Sequence, residues 1–428
     1  MGVAMLILSI AIVMILIMRG VPIFFTAMLS SMFLLLTSGQ NVLEGMTTTY
    51  VQGLSGYFGN MFWLFALGAI FGNLFGVTGA ADSIANTIIN KLGEKAIIPA
   101  CIVVGFVLSI GGVSVFVAFF AMYPLMVSMF RKADISRTLI PGVYFAGAGT
   151  ASGFWPGSPS LQNTVACDML GVGYASALIP GWIAGIFEMV LVFAYTMWAV
   201  KHAKDKGLHF EELPGEEHVE GSQKEAPGFL LSLIPMIVLI VVLNFTPIGA
   251  AASLFVGIIC ALVCFFKYYE LKDIWKHLSA GLTGGVNSLF NTSSIVGFGS
   301  VVAAMPAFQA IIAWLQTLGG NPLIISILAV AVLAGVSGSG TGGEGIALPI
   351  IKEYFVPMGV NTEALARCTA LACLTLDSLP QNGLVCSVLS YTKNSHKDAY
   401  IHVFFNTVLI PIISLVVLVA MCGVFGYM

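Results

Sequence analysis

Continuous apolar runs, such as Met5–Met18 and Leu409–Val424, constrain this chain more than any other feature. They lack the period-two alternation that a membrane β-barrel strand requires, so a barrel is excluded. They also recur along the whole chain, and only 9% of its 428 residues are charged, against about 25% in soluble domains. Mean hydropathy is +0.98. A soluble enzyme, a disordered chain, a collagen and a coiled coil are all ruled out. The expected fold class is an all-α polytopic membrane protein of the plasma (cell inner) membrane. A spanning helix takes about 20 residues, so the length allows roughly ten to fourteen spans. The net charge is −3 and no basic run is present, so nucleic acid is not an expected partner; the lipid bilayer is.

The eight cysteines sit in apolar surroundings without a CxxC pair. They read as small buried hydrophobes, and no metal or other cofactor is expected. The N-terminal run has no basic leader, has no small-residue cleavage site and ends at Arg19. It is expected to be a retained first span.

One segment breaks the apolar pattern. Between Lys201 and Pro227 lie four lysines, one aspartate and six glutamates. This solvated loop (201–227) divides the chain into halves 1–200 and 228–428. The halves resemble each other. Phe71-Gly-Asn-Leu-Phe-Gly-Val-Thr-Gly is answered by the stretch from Gly297, and the Ser109-Ile-Gly-Gly-Val-Ser break by Gly335-Val-Ser-Gly-Ser-Gly-Thr-Gly-Gly. Pro156-Gly-Ser-Pro-Ser-Leu-Gln-Asn is answered by Asp377-Ser-Leu-Pro-Gln-Asn-Gly. The glycines at 111 and 335 and the prolines at 156 and 380 share one offset of 224 residues. Three matches in order, two of them at one offset, point to an internal repeat.

Lysine and arginine then set the topology, because cytoplasmic loops are enriched in them. In the first half, spans are expected near 3–18, 21–37 and 58–78, a hairpin at 97–130, a broken span at 138–173 and a span at 177–200. The hairpin's first arm, 97–110, is about 21 Å long and too short to cross the hydrocarbon core. A re-entrant hairpin also keeps Arg131, Lys132 and Arg137 on the side of Lys95. The second half repeats the series in opposite orientation. Its spans fall near 229–245, 250–267 and 281–303, with a hairpin at 323–357, a broken span at 362–392 and a last span at 400–425. This scheme gives about ten spans and places both termini outside. Every basic residue is then cytoplasmic except Lys352 and Arg367.

Inverted repeats with broken helices mark secondary transporters, with the substrate site at the breaks. Irregular backbone within a membrane survives only where protein or a water-filled cavity satisfies it. The breaks are rich in groups that do so. The first half offers Ser109, Gly112, Ser114, Thr150, Ser152, Ser158, Ser160, Gln162 and Asn163. The second offers Ser337, Ser339, Thr341, Ser378, Gln381 and Asn382. Half-helices starting after Gly112, near Asn163, after Gly343 and near Asn382 would aim N-terminal N–H groups inward, which suits an anionic substrate. Any one Ser or Gly also fits plain helix packing; it is the four breaks together that carry the reading.

Ionisable groups within a membrane are costly and functional by default. Asp377 lies at the second-half break and Glu344 just beyond the hairpin glycines, so these two are the candidate proton-coupling groups. Their structural alternatives are capping of the helix at Asn382 and a hydrogen bond to the hairpin backbone. Glu188, within a regular span, reads as structural, and Asp168 as solvated. Trp155 stands inside a break and reads as packing more than as a substrate contact. No HExxH, GxSxG or Walker sequence is present, so no catalytic residues and no nucleotide-driven pump are expected.

The motifs Gly72-Asn-Leu-Phe-Gly-Val-Thr-Gly-Ala-Ala-Asp-Ser-Ile-Ala, Pro156–Asn163, Ser337–Gly343 and Leu376-Asp-Ser-Leu-Pro-Gln-Asn-Gly resemble those of the gluconate permease family. The resemblance implies proton symport of gluconate or a related short hydroxy acid. It also implies a place in a wider group of ion transporters with paired re-entrant hairpins, usually homodimers. Carried over, Pro156–Asn163, Asp377–Asn382 and both hairpin tips would line the substrate site. Ser337–Gly343 is richer in glycine than the sugar-acid members lead one to expect. Two further readings stand beside this one. Sodium coupling of a carboxylate would use the same unwound carbonyls. An integral-membrane enzyme would need a convergent nucleophile or metal set, which the sequence lacks. A channel is disfavoured because no continuous polar stripe runs along the spans.

Overall fold

A computed structural model describes residues 2–111, 113, 115–149, 151–213, 226–246, 248–317 and 320–427. Gly112, Ser114 and Thr150 lie outside the described residues, as does the middle of the charged segment. Every regular element among the described residues is helical. The first half contains α1 (Gly2–Met18), α2 (Ile23–Thr37), α3 (Val42–Val77), α4 (Ala80–Leu92), α5 (Ile97–Ile110), α6 (Val115–Lys132), α7 (Ile140–Ala148), α8 (Leu161–Leu170) and α9 (Leu178–Asp205). The second contains α10 (Phe229–Phe245), α11 (Gly249–Cys264), α12 (Ile274–Ala304), α13 (Pro306–Thr317), α14 (Pro322–Ser337), α15 (Gly340–Tyr354), α16 (Thr362–Ala372), α17 (Gly383–Tyr391) and α18 (His396–Val424).

Four of these, α3, α6, α9 and α18, are long and apolar enough to cross a membrane unaided. Five shorter helices are also apolar: α1, α2, α10, α11 and α14. Others are broken or amphipathic, so helix length does not by itself give a span count.

Two elements differ from the sequence expectation. The stretch 38–57, expected as an external loop, is helical from Val42 onward and continues unbroken into α3. The link between 78 and 97 folds as α4, which meets the segment containing α5 at a 113° bend. Helix α4 is amphipathic. It buries Ala80, Ala81, Ile84 and Ala85, while the Asp82 carboxylate accepts from Ser128 Oγ and forms an ion pair with the ammonium of Lys132 at 3.9 Å. In the second half the short helix α13 lies between α12 and α14 in chain order.

The two longest helices, α3 and α12, cross at backbone contact. A Cβ on Gly285 would lie 2.4 Å from the Phe65 carbonyl oxygen, and one on Gly281 would lie 2.8 Å from Ile70 Cα. Near the other end Gly53 faces Ser300. Rising numbers on one helix meet falling numbers on the other, so the pair is antiparallel. Small residues are what allow such an approach. The α14–α15 hairpin is tighter still. Gly338 sits in the left-handed region at φ 66°, which favours glycine. Four residues into α15, a Cβ on Gly343 would meet the Ala334 backbone at 2.3 Å.

The charged segment docks on the turn after α6. Arg131 donates to both carboxylate oxygens of Glu212, at 2.5 and 3.0 Å. Asp134 accepts from the Phe210 N–H at 2.9 Å and contacts His209 Nδ1 at 2.6 Å. Those two contacts, the Phe210 hydrogen bond first, hold the Asp134 carboxyl below the usual aspartate range. Lys204 donates to Ala133 O at 2.8 Å, and Asn394 reaches Arg137 O at 3.4 Å. The basic residues around 131–137, 204 and 393–397 therefore gather at one end of the molecule.

Candidate functional site

Each half contains a helix that starts, stops and resumes. In the first, α7 ends at Ala148, a short turn spans Ala151–Phe154, and α8 begins at Leu161. In the second, α16 ends at Ala372, a 3-10 turn covers Leu376–Ser378, and α17 begins at Gly383. The two breaks touch, since a Cβ on Gly153 would lie 2.4 Å from Leu374 Cδ1.

Each hairpin tip is tied to the break of its own half. Ser109 Oγ donates to Ala148 O at 3.2 Å, and Ser158 Oγ donates to Ile110 O at 3.3 Å. In the second half Gln381 Nε2 donates to Gly335 O at 3.0 Å, and Asn382 Nδ2 to Gly338 O at 3.1 Å. Residues from four separate stretches of sequence thus converge on one region.

Several of these side chains are already occupied. Asn382 caps α17 by accepting from the Val385 N–H at 2.8 Å. Ser339 caps α15 by accepting from Gly342 at 3.1 Å, so that half-helix begins at Gly340 rather than after Gly343 as its glycines suggest. Ser337 Oγ donates to Ala334 O and Ser339 O, both at 3.2 Å. Ser160 Oγ donates to Gly153 O at 2.5 Å, and no side chain caps the start of α8. Gln162 and Thr341 are half-buried. The Oε1 of Gln381 is buried without a hydrogen-bond partner among the described residues.

Asp377 is buried at the second break and accepts from Ser378 Oγ at 3.0 Å. Its carboxylate also lies against the start of α15, where a Cβ on Gly340 would be 2.9 Å from Oδ2. The helix it serves is therefore α15, not the helix at Asn382, which caps itself. The break that carries Asp377 is braced from α18. Tyr400 OH donates to Ser378 O, and His396 Nε2 contacts Pro380 O, both at 3.0 Å. Glu344 is fully buried one turn into α15. Cys373 Sγ donates to its Oε2 at 3.6 Å, and its Oε1 has no hydrogen-bond partner among the described residues.

Sequence reasoning overlooked one residue at the site. Arg367, placed outside by the charge count, is fully buried in α16. Its guanidinium donates to Phe154 O (2.6 Å), Asn163 Oδ1 (2.6 Å), Tyr174 O (2.7 Å) and Ser176 O (2.8 and 3.0 Å). Asn163 is consumed by the same network, because its Nδ2 donates to Ser158 O at 2.7 Å and Tyr174 O at 3.2 Å. Trp155 packs edge-on against Phe106 and Trp182. Asp168 is exposed and accepts from Tyr174 OH at 3.1 Å, whereas Glu188 is buried within α9.

Comparison with known proteins adds a second line. Residues 1–253 match the family described as GntP family permease. An uncharacterized transporter, YxjC of Bacillus subtilis, is 28% identical, with 91% of this chain and 92% of that protein covered. A gluconate permease of Zymomonas mobilis is 25% identical over 72% of this chain and 73% of its own length. A gluconate permease of Pseudomonas aeruginosa is 23% identical over 84% of each.

Proposed function

The chain belongs to the GntP permease family, which consists of membrane transporters rather than enzymes, and we propose that it imports a small organic anion by proton symport with alternating access. The substrate class is a gluconate-like sugar acid or a short hydroxy acid. The observation that carries the reading is the position of Asp377, a buried carboxylate held against the start of α15 where two helix breaks meet.

The chemistry follows from that position. The N-terminus of a helix attracts negative charge. While Asp377 is ionised, its own carboxylate grips the Gly340 end of α15 by charge. A proton on Asp377 weakens that grip and leaves the end of α15 open to a substrate carboxylate. Proton and anion then enter together, and each makes room for the other. Gln162 on one side, with Ser339 and Thr341 on the other, supply donors and acceptors for substrate hydroxyls, while the hydroxyl oxygens of Ser158, Ser160, Ser337 and Ser378 and the Oε1 of Gln381 serve as acceptors. Asn163 and Asn382 shape the breaks. Glu344, buried with one oxygen unpartnered among the described residues, is the second proton-carrying candidate.

Alternating access rests on the inverted repeat. Helix order and spacing support it: α4, α5, α6 and α7 begin at 80, 97, 115 and 140, and α13, α14, α15 and α16 at 306, 322, 340 and 362. The antiparallel crossing of α3 and α12 supports it further. The basic end around Arg131 faces the cytoplasm by the positive-inside rule, which puts both termini outside. Docking of the charged segment on Arg131 and Asp134 favours a hairpin at 97–130, because it keeps the two on one side.

The test is counterflow in proteoliposomes preloaded with D-gluconate, challenged by a panel of labelled carboxylates. Exchange of gluconate or a short hydroxy acid is the expected result. Absence of exchange for every carboxylate, with folded protein, sinks the reading.

A further inference from the structure

Among the described residues, Arg367 is a cation with no anionic partner. Its five hydrogen bonds go to three backbone carbonyls and one amide oxygen, all neutral. The acid one turn earlier on α16, Glu363, is exposed and turned to the Ala177 N–H at 3.2 Å. A charge buried in this way is expensive to keep, and packing alone does not require it.

Its location suggests what it serves. Phe154 O and Asn163 Oδ1, both 2.6 Å from Nη1, bracket the unwound stretch between the 151–154 turn and α8. The guanidinium therefore sits beside the first turn of α8, whose start carries no side-chain cap. The positive end of the α8 dipole and a full positive charge reinforce each other there. Hydrogen bonds to neutral acceptors orient the cation but leave its charge uncancelled.

We infer that Arg367 is the residue that makes the site select an anion: a fixed positive charge that acts on the substrate carboxylate across Asn163 and the α8 N-terminus without touching it. The inference rests on the organic-anion reading and adds the source of its charge selectivity. Arg367 is also a positioning residue, since its planar fork ties α16 of the second half to the first-half break. The two roles separate experimentally, because lysine keeps the charge but not the fork.

The experiment measures inhibition of D-gluconate uptake by unlabelled D-gluconate and by its neutral amide, in wild type, Arg367→Lys and Arg367→Gln. Thermal melts in detergent show which variants are folded. Wild type should prefer the anion at least tenfold. Arg367→Gln should lose most of that preference, while Arg367→Lys should retain it at a reduced maximal rate. An unchanged preference in folded Arg367→Gln overturns the inference. So does a loss in folded Arg367→Lys, which decides alone if the glutamine variant does not fold. Wild type that binds acid and amide equally overturns it without any variant. A wild type that transports no carboxylate removes the organic-anion reading itself, and this inference with it.

Discussion

Replacing Asp377 by asparagine separates transport from coupling. The change keeps the size and one acceptor oxygen but fixes the side chain in a neutral state. Hydrogen bonds to a charged group contribute about 1.5–3 kcal/mol and neutral ones about 0.5–1.5 kcal/mol. The contact with Ser378 Oγ therefore weakens by about 1–1.5 kcal/mol, and the attraction of the carboxylate for the start of α15 is lost. The end of α15 is freed as protonation would free it, so substrate affinity should hold or rise. Coupling should vanish. One proton moving with a monoanion down a gradient of one pH unit gives about 1.4 kcal/mol, or about tenfold accumulation. Wild-type proteoliposomes should approach that ratio, and Asp377→Asn should stay at unity while retaining counterflow. If the variant still concentrates substrate in response to the pH gradient, Asp377 is not the coupling group and Glu344 takes its place as the candidate. If folded variant loses counterflow as well, the residue serves binding or structure rather than coupling.

Three other outcomes follow from the geometry. Gly343→Ala drives a methyl group into the Ala334 backbone and should destabilise the protein by on the order of 1–3 kcal/mol; an unchanged thermal melt in detergent contradicts the close packing of α14 on α15. Asn382→Ala removes the α17 cap and the contact with Gly338 O. It should lower stability by about 0.5–2 kcal/mol, and normal affinity in the folded variant would show that its side chain does not bind substrate. Single cysteines at Lys95, Arg131 and Ser222 should react with a membrane-impermeant maleimide from the cytoplasmic side alone. Labelling of position 131 from outside turns the 97–130 hairpin into a full crossing.

The breaks were legible in the sequence because proline, glycine and asparagine announce them. Pro156, Pro380 and Asn382 stand where a helix stops or restarts, and an offset of 224 residues ties the first two together. The start of α3 was not legible, because the Thr47-Thr48-Thr49 stretch reads as loop while its backbone continues the helix. Helices α4 and α13 escaped for a related reason: each is short and amphipathic, and a search for continuous apolar runs passes over such segments. Asp377 was recognisable as a buried acid, but its service to α15 was not. That contact joins residues 37 positions apart, and it takes the folded hairpin to bring Gly340 to the carboxylate. Arg367 shows the limit most clearly. Its acceptors at Phe154, Asn163, Tyr174 and Ser176 lie in the other half of the chain, and nothing near Arg367 in sequence signals that they will surround it.

Proton-driven accumulation of an organic anion is the central claim, and imposed gradients test it most directly. Purified protein in proteoliposomes is given labelled D-gluconate under an inward pH gradient without sodium, then under an inward sodium gradient with the pH equal on both sides. A dye trapped in the lumen reports proton entry. Proton symport predicts uphill uptake and lumenal acidification in the first condition and mere equilibration in the second. Accumulation that follows sodium and leaves the lumenal pH unchanged would contradict it.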